Sequence, residues 1–505
     1  MNLDQGLIDQ RRPCLIGTAR RTWHPGGPPA PEPLDMWCEL ARAAADDVSV
    51  DRDVLSEVDE VGLVHCQSWA YDSPTGRLAE RLGLVGVRAT ESILAGTSPQ
   101  RLINGAAERM LLGESEVALV VGGEALATLR AHSRAGEAPG WSNQHPCPPA
   151  LPVDLDEWYL PTEIAHGVLP AWLTFALLEQ ARWSSRGATR ADRDQLGAVV
   201  GRLNSVAAGN PDAWFREPRT SQELTTPGSG NRLVATPYTK RMTAFLDVDM
   251  AAANLVVTKG VADRWGVPDD KRVYLRGWGF ARESTHVGAR TDLGESAAMR
   301  VATDRATGMA GVTIDEIDLF DLYSCFPSAV QFATDALGLR GDDHRPTSVT
   351  GGLPYHGGPS SNYMSHSISH LADRLRGRSG SVGMATGIGM HMTKHVASVW
   401  SATPGPVGPV PIRQEGQRAV GPSDTGEVAL VDSAIGPGTV LSAAVIHHTD
   451  GSPSHAIAIC GLPTGERCYA RGDHPDTLDA GGDDAWSGMV AQITPADGRI
   501  NQFHL

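Results

Sequence analysis

Long apolar runs are missing from this chain. No stretch approaches the roughly 18–20 residues that a helix needs to cross a bilayer, and the first residues, Met1 to Gln5, lack the basic and apolar regions of a signal peptide. The expectation is a cytoplasmic protein with no membrane partner. Clustered cations are missing too: 43 basic residues stand against 59 acidic ones, a net charge of −16, and without a basic run there is no nucleic-acid footprint. The seven cysteines, at 14, 38, 66, 147, 325, 460 and 468, are odd in number and have no metal-type spacing. That argues against a disulfide framework and against a zinc site, so no metal is expected. Aromatic residues are scarce at 6%, while Gly and Ala are plentiful, a balance that suits helices packed closely on sheets better than an all-β chain.

With 505 residues, the chain can build two or three domains with substantial cores. Cys14–Gly17 reads as a short strand, and Asp35–Asp47 as a helix with Met36, Leu40, Ala43 and Ala44 on one face. Val58–Val64 reads as a strand and returns in residue type as Ile314–Phe320, the trace left by a duplicated α/β half. Ser98 is expected to cap a helix with Pro99 at its first position and Gly113 at its end, followed by strand Val117–Val121. Residues 127 to about 245 break the αβ alternation with Pro-rich stretches, including His145–Pro149, and amphipathic helices near 170–183 and 189–208. Asp247–Ala253 is read as leading into a helix over 251–265. Strand Arg272–Gly277 and helix 294–308 follow.

Three blocks between Ile314 and His395 carry the chemistry. In Ile317–Pro327 an apolar strand ends in Tyr323, Ser324 and Cys325, and Pro327 opens the next helix. In Thr350–Tyr363, Gly351, Gly352, Gly357 and Gly358 with two prolines make a loop for close backbone approach, bearing His356, Asn362 and Tyr363. Gly383–His395 runs from a strand through Gly387 and Gly389 to His391, Lys394 and His395. His391 and His395 fall one turn apart if that segment is helical, and imidazoles suit proton transfer near neutral pH. His391 and His395 read equally well as groups that cap or pack a helix, whereas the Gly-rich setting of His356 favours a functional role.

These blocks resemble the C-terminal half of the thiolase superfamily. The resemblance implies a duplicated thiolase fold, five-layered αβαβα, with an inserted loop domain at about 127–245. The halves would then be 1–270 and 271–402, with coenzyme A or an acyl-CoA as ligand and no required cofactor. It also implies which chemistry is gone. The nucleophilic cysteine's place falls at Gly96, the catalytic histidine's at Gly358, and the acid/base cysteine's at Ala385. The Asn or His of the family falls at Tyr323, beside Cys325. Thr97 and Ser98 offer hydroxyls near Gly96 without a visible base. Lys240, followed by Arg241, is placed to meet a phosphate, though a solvated basic pair is the commoner explanation.

After Trp400 a breaker-rich linker, Thr403–Pro411, marks a boundary. Residues 413–505 hold β-type runs at Gly426–Val431, Val440–Ile446, His455–Cys460 and Met489–Ile493, expected as a five- or six-stranded barrel. Arg467–Arg471 with the run after Gly488 resembles the OB-like C-terminal domain of actinobacterial type 1 thiolase-like proteins. The expectation is an acyl-CoA-binding thiolase homologue, acyltransferase by descent, with thiolytic activity weak or lost. The alternatives are a retro-aldol lyase on β-hydroxyacyl-CoA using Tyr323, and a non-enzymatic partner protein. Monomer and homodimer both remain open.

Overall fold

The computed structural model describes residues 5–148, 155–187, 190–340, 343–405, 426–474, 478 and 486–505. Strands β1 (Pro13–Thr22), β2 (Glu60–Leu63), β3 (Arg88–Glu91) and β4 (Val117–Ala125) begin the body. The short β5 (Leu233–Ala235) and β6 (Tyr238–Thr239) lie in the insertion, and β7 (Asp249–Thr258) ends the first half. The second half brings β8 (Val273–Arg282), β9 (Leu319–Asp321), β10 (Val382–Gly389) and β11 (Lys394–Ser401). Their order is β3-β2-β4-β7-β1-β8-β11-β10-β9.

That order contains the duplication. β2 runs parallel to β4, and β4–β7 and β7–β1 are antiparallel. β9 likewise runs parallel to β10, and β10–β11 and β11–β8 are antiparallel. The halves adjoin where Cys14 and Leu15 of β1 meet Tyr274 and Val273 of β8. Helix Pro33–Asp47 covers β1, β4 and β7, and helix Ala297–Ala310 covers β8 and β11. Helices Ser98–Leu112 and Tyr363–Leu375 touch each other and strands of both halves, forming the layer between them. The expected stack of outer helix, half-sheet, helix pair, half-sheet and outer helix is therefore present.

Small residues set the spacing of these layers. A Cβ on Gly17 of β1 would stand 2.1 Å from the Ala44 carbonyl oxygen of the covering helix, and one on Gly279 of β8 would stand 2.1 Å from that of Ala302. Equivalent strands of the two halves thus admit their helices through a missing side chain. Van der Waals contact of the helix backbone with the sheet replaces the usual side-chain layer.

Three local readings change. Thr97, not Ser98, is the N-cap of helix Ser98–Leu112, and the Ser98 hydroxyl donates instead to the Ile93 carbonyl at 2.7 Å. The segment from Ala251 to Thr258 is strand, not helix, and the helix is confined to Lys259–Trp265. Every residue of β7 is buried, because it lies between β4 and β1 and is covered by helices. Helix-favouring alanines give way there to two flanking ladders. Ile314–Glu316 forms a single 3₁₀ turn before β9, matching Leu55–Glu57 before β2.

The C-terminal unit contains β12 (Gly436–His447), β13 (Pro453–Gly461), β14 (Arg467–Gly472), β15 (Val490–Pro495) and β16 (Asn501–His504). They close as β12-β13-β14-β16-β15 back onto β12, with β14–β16 parallel. This is the OB-like barrel, with five strands. Gly426–Val431 is not one of them. It makes only isolated bridges, Glu427 to Arg290 of the body and Leu430 to Arg467 of the barrel, because it lies between the two units and no ladder extends along it. Residues 406–411 of the linker and 413–425 lie outside the described residues.

One substitution at two glycines tests the spacing. Gly279→Ala is expected to destabilise by about 1–3 kcal/mol through overpacking. Gly308→Ala, on an exposed helix position with nothing within 4 Å of the added methyl, should stabilise by roughly 0.5–1 kcal/mol. Urea midpoints moving in the same direction would refute this account.

Candidate functional site

The three blocks do meet, and a buried carboxylate holds them together. Asp321, the last residue of β9, accepts hydrogen bonds from Ser348 Oγ at 2.6 Å, the Val349 N–H at 3.0 Å and Thr350 Oγ1 at 3.1 Å. Thr350 Oγ1 lies 2.6 Å from the Tyr363 hydroxyl, which also reaches Asp321 at 3.4 Å. Strand end, glycine loop and central helix are thereby tied at one point. Burial raises the Asp321 pKa against the pull of these donors. The sequence reading missed this group; its signal is an Asp inside an apolar strand with Ser and Thr upstream of the glycine loop.

Asp321 positions the turn that follows. The Tyr323 N–H donates to Thr386 Oγ1 of β10 at 2.9 Å, and the Tyr323 ring stands edge-on to Tyr363 with centroids 5.5 Å apart. Its hydroxyl points at Gly96. A Cβ built on Gly96 would lie 2.2 Å from that oxygen and 2.3 Å from the Ile388 carbonyl oxygen. The place of a side chain at 96 is therefore already filled. Burial pushes the Tyr323 phenol up. Ala385 is fully buried in β10, opposite Asp321 and Ser398 in the ladders. Thr97, next to Gly96, buries a hydroxyl that has no hydrogen-bond partner among the described residues.

The other predicted groups are structural in their contacts. Asn362 donates to the Gly122 carbonyl at 2.7 Å and accepts from Ser365 Oγ at 2.7 Å, so its amide links β4 to the central helix. Gly351 and Gly352 have positive φ, 107° and 78°; a Cβ on Gly351 would meet the Ala207 backbone of helix Arg190–Gly209 at 2.6 Å. Gly358 donates its N–H to the Phe245 carbonyl and faces Leu246 and Leu353. Gly387 faces Met364, and Gly389 faces Ala95 and Lys394. Cys325 is buried, its thiol pushed up by desolvation. Among the described residues it has no ring or hydrogen-bond contact with a histidine.

His391 and His395 do not share a helix turn. Residues Met390–Thr393 are the turn of the β10–β11 hairpin, with Met390 and Met392 at positive φ, and His395 lies in β11. The Gly at 389 and the register of the two strands impose a hairpin where the histidine spacing alone suggests a helix. His391 is held by Tyr159 Oη at 2.7 Å and Thr174 Oγ1 at 2.9 Å. His395 Nε2 lies 3.0 Å from the Met392 carbonyl and 3.3 Å from Ser296 Oγ. Burial pushes both imidazoles down to about 4. His356 is fully buried and pushed down to about 3 by desolvation, then by Arg20 and His24. It stands edge-on to Tyr363, His366 and His370 at centroid distances of 6.1, 5.4 and 5.3 Å, a histidine cluster the sequence reading did not identify. Among the described residues no such cluster converges as metal ligands.

Lys240 is exposed and lies apart from these groups. With Arg219, Arg241, Phe215, Phe245 and Tyr355 it lines a cavity of about 240 Å³ against the glycine loop. The Tyr355 hydroxyl is buried there without a partner among the described residues.

No protein-family model matches the chain, and no curated protein matches it. Solved structures do. A monomeric SCP2-thiolase-like protein type 1 from Mycobacterium smegmatis superposes with a TM-score of 0.84 at 27% identity, covering 98% of this chain and 99% of that one. Human mitochondrial 3-ketoacyl-CoA thiolase gives 0.56 at 17% identity over 78% of this chain and 100% of its own. The dimeric peroxisomal thiolase of Saccharomyces cerevisiae gives 0.56 at 14% over 79% and 100%. The chain thus has the fold of the thiolase superfamily, with a likeness to the SCP2-thiolase-like protein type 1 that runs through body and barrel alike.

Proposed function

We propose that this protein binds an acyl-CoA or a related thioester and performs neither thiolysis nor Claisen condensation. Those reactions need a thiolate to carry the acyl group, a second acid/base for the carbanion and donors for the enolate oxygen. One observation carries the reading: the Tyr323 hydroxyl stands 2.2 Å from where a Cβ at position 96 would be. The nucleophile is not merely absent; its volume is occupied. Ala385 supplies no proton, Cys325 has no histidine in contact among the described residues, and burial holds His356 neutral.

Ligand binding is supported from the other side of the glycine loop. Lys240, Arg241 and Arg219 beside Phe215, Phe245 and Tyr355 combine cations with aromatic faces. A phosphorylated purine carried on an apolar arm asks for that combination. The retro-aldol reading is supported less, because a basic phenolate needs a cation or a base at Tyr323, and the raised pKa runs the other way. The likeness to a monomeric structure supports a monomer in solution.

Calorimetric titration with acetyl-CoA is expected to show saturable binding, weakened about tenfold, or about 1.4 kcal/mol, by Lys240→Ala. Thiolysis of acetoacetyl-CoA should remain at the uncatalysed rate. Turnover above background, or no binding, would each remove the proposal. Light scattering should give the mass of a single chain; a stable dimer would contradict the monomer reading.

The histidines set a pH dependence. In the unfolded chain they titrate near 6.5, whereas in the fold burial keeps His391 and His395 neutral to about 4 and His356 to about 3. Their contribution is fully present above the unfolded value. As pH falls below about 6.5 the unfolded state binds protons that the fold refuses, and stability is lost down to about pH 4 and then pH 3. Thermal midpoints recorded between pH 7.5 and 4 should therefore decline steadily. His391→Gln and His356→Gln should flatten the decline, and unchanged slopes would show that other groups cause it.

A further inference from the structure

We propose that a second cleft, on the opposite face of helix Arg190–Gly209, binds a small organic phosphate. Three helices form it, each contributing side chains at helical spacing. Arg182, Trp183 and Arg186 come from helix Ala171–Ser185 and the residue after it; Ala198, Val199 and Arg202 come from helix Arg190–Gly209; Val330, Gln331, Thr334 and Asp335 come from helix Pro327–Leu337. Arg340, Asp343 and Arg345 close the end. The cleft has a volume of about 640 Å³, within the range of small-molecule sites.

The charge in this cleft opposes that of the whole chain. Among the described lining residues five are arginines and two are aspartates, in a protein whose net charge is −16. Asp335 is shared: Arg182 grips it through Nε at 2.6 Å and a terminal nitrogen at 3.1 Å, and Arg186 reaches the same carboxylate at 2.8 Å. Asp343 is taken up by Arg345, whose remaining nitrogen donates to the Ile314 and Ile317 carbonyls. These ion pairs hold two arginine forks rigid at the wall. Arg202, exposed, has no ion pair among the described residues, and Arg186 keeps part of its guanidinium open.

The guanidinium of Arg202 and the open part of that of Arg186 fit phosphate oxygens, which accept bidentate guanidinium bonds, while Arg182 and Arg345 are committed to Asp335 and Asp343 and shape the wall. The floor of Ala198, Val199, Val330 and Leu339 suits an organic portion rather than a bare ion. The cleft also shares helix Pro327–Leu337 with the candidate site, since that helix starts immediately after Phe326 in the Tyr323 turn. The inference does not rest on the acyl-CoA reading, and separate residues report on the two.

The test is calorimetry of the full chain with inorganic pyrophosphate as probe, comparing wild type with Arg186→Ala/Arg202→Ala, Arg202→Glu and Lys240→Ala. Saturable binding is expected, weakened tenfold or more by the double variant and by Arg202→Glu, and changed less than about twofold by Lys240→Ala. Arg202→Glu alters an exposed side chain, so its thermal midpoint should match wild type and loss of binding will not reflect misfolding. No saturable heat up to roughly millimolar probe, or binding indifferent to Arg202, overturns the site. A loss produced by Lys240→Ala alone overturns it too, by assigning the phosphate to the other cavity.

Discussion

Two atoms cannot share the space in front of Gly96. The Tyr323 hydroxyl and the Ile388 carbonyl oxygen close in on the point where a side chain at 96 would begin, and the groups that fix Tyr323 are buried in their turn. Its N–H is bound to Thr386, its ring abuts Tyr363, and the strand before it ends in Asp321, which grips the glycine loop. Removing the reactive thiol from a cleft would leave a void, and interiors do not keep voids cheaply. Here the Tyr323 phenol fills the volume that a side chain at 96 would take, so neither position can be changed without the other feeling it.

The same network explains what was legible beforehand. The duplication showed in sequence because Val58–Val64 and Ile314–Phe320 answer to identical packing demands in equivalent half-sheets, each entered from a 3₁₀ turn. Gly17 and Gly279 were visible only as part of a glycine-rich composition; that each marks a helix touching a sheet is a property of three dimensions. The strand at Ala251–Thr258 was misread because alanine favours helices, while its two flanking ladders come from residues more than a hundred positions away and from the N-terminus. Spacing suggested a shared helical face for His391 and His395, yet strand register placed them in a hairpin turn and its outgoing strand. Asp321 was passed over because an ionisable residue in an apolar run looks like an interruption until its donors are found.

The barrel is joined to the body at the points that support this hairpin. Arg290, fully enclosed, donates to the His391 and Met392 carbonyls and pairs with Glu283 at 3.2 Å. Arg467 of β14 in turn donates to the carbonyls of Gly288, Arg290 and Thr291, and the Tyr469 hydroxyl accepts from the Gly288 N–H. Tyr469 also reaches Glu163, which binds His286 at 2.8 Å. A guanidinium is costly to bury unless its donors are used; here Nη2 fixes the turn of the β10–β11 hairpin and Nη1 faces Glu283, while Nε is buried without a hydrogen-bond partner among the described residues. The barrel thus immobilises backbone at the site without sending a side chain into it.

Helix Arg190–Gly209 then separates two basic clefts in an acidic protein. Its Asn204 faces Lys240 and Arg241, its Arg202 faces Arg182 and Arg186, and its Ala207 lies under Gly351. Electrostatic attraction over a Debye length would favour neither cleft for a protein of this net charge; local forks and enclosure must select the ligand instead. Because Ala207 packs so closely on Gly351 that a Cβ there would stand 2.5 Å from its own, any shift of the helix moves the loop that Asp321 anchors. An anion drawn into one cleft would therefore act on the other through packing, by the contact that leaves no slack between Ala207 and the loop.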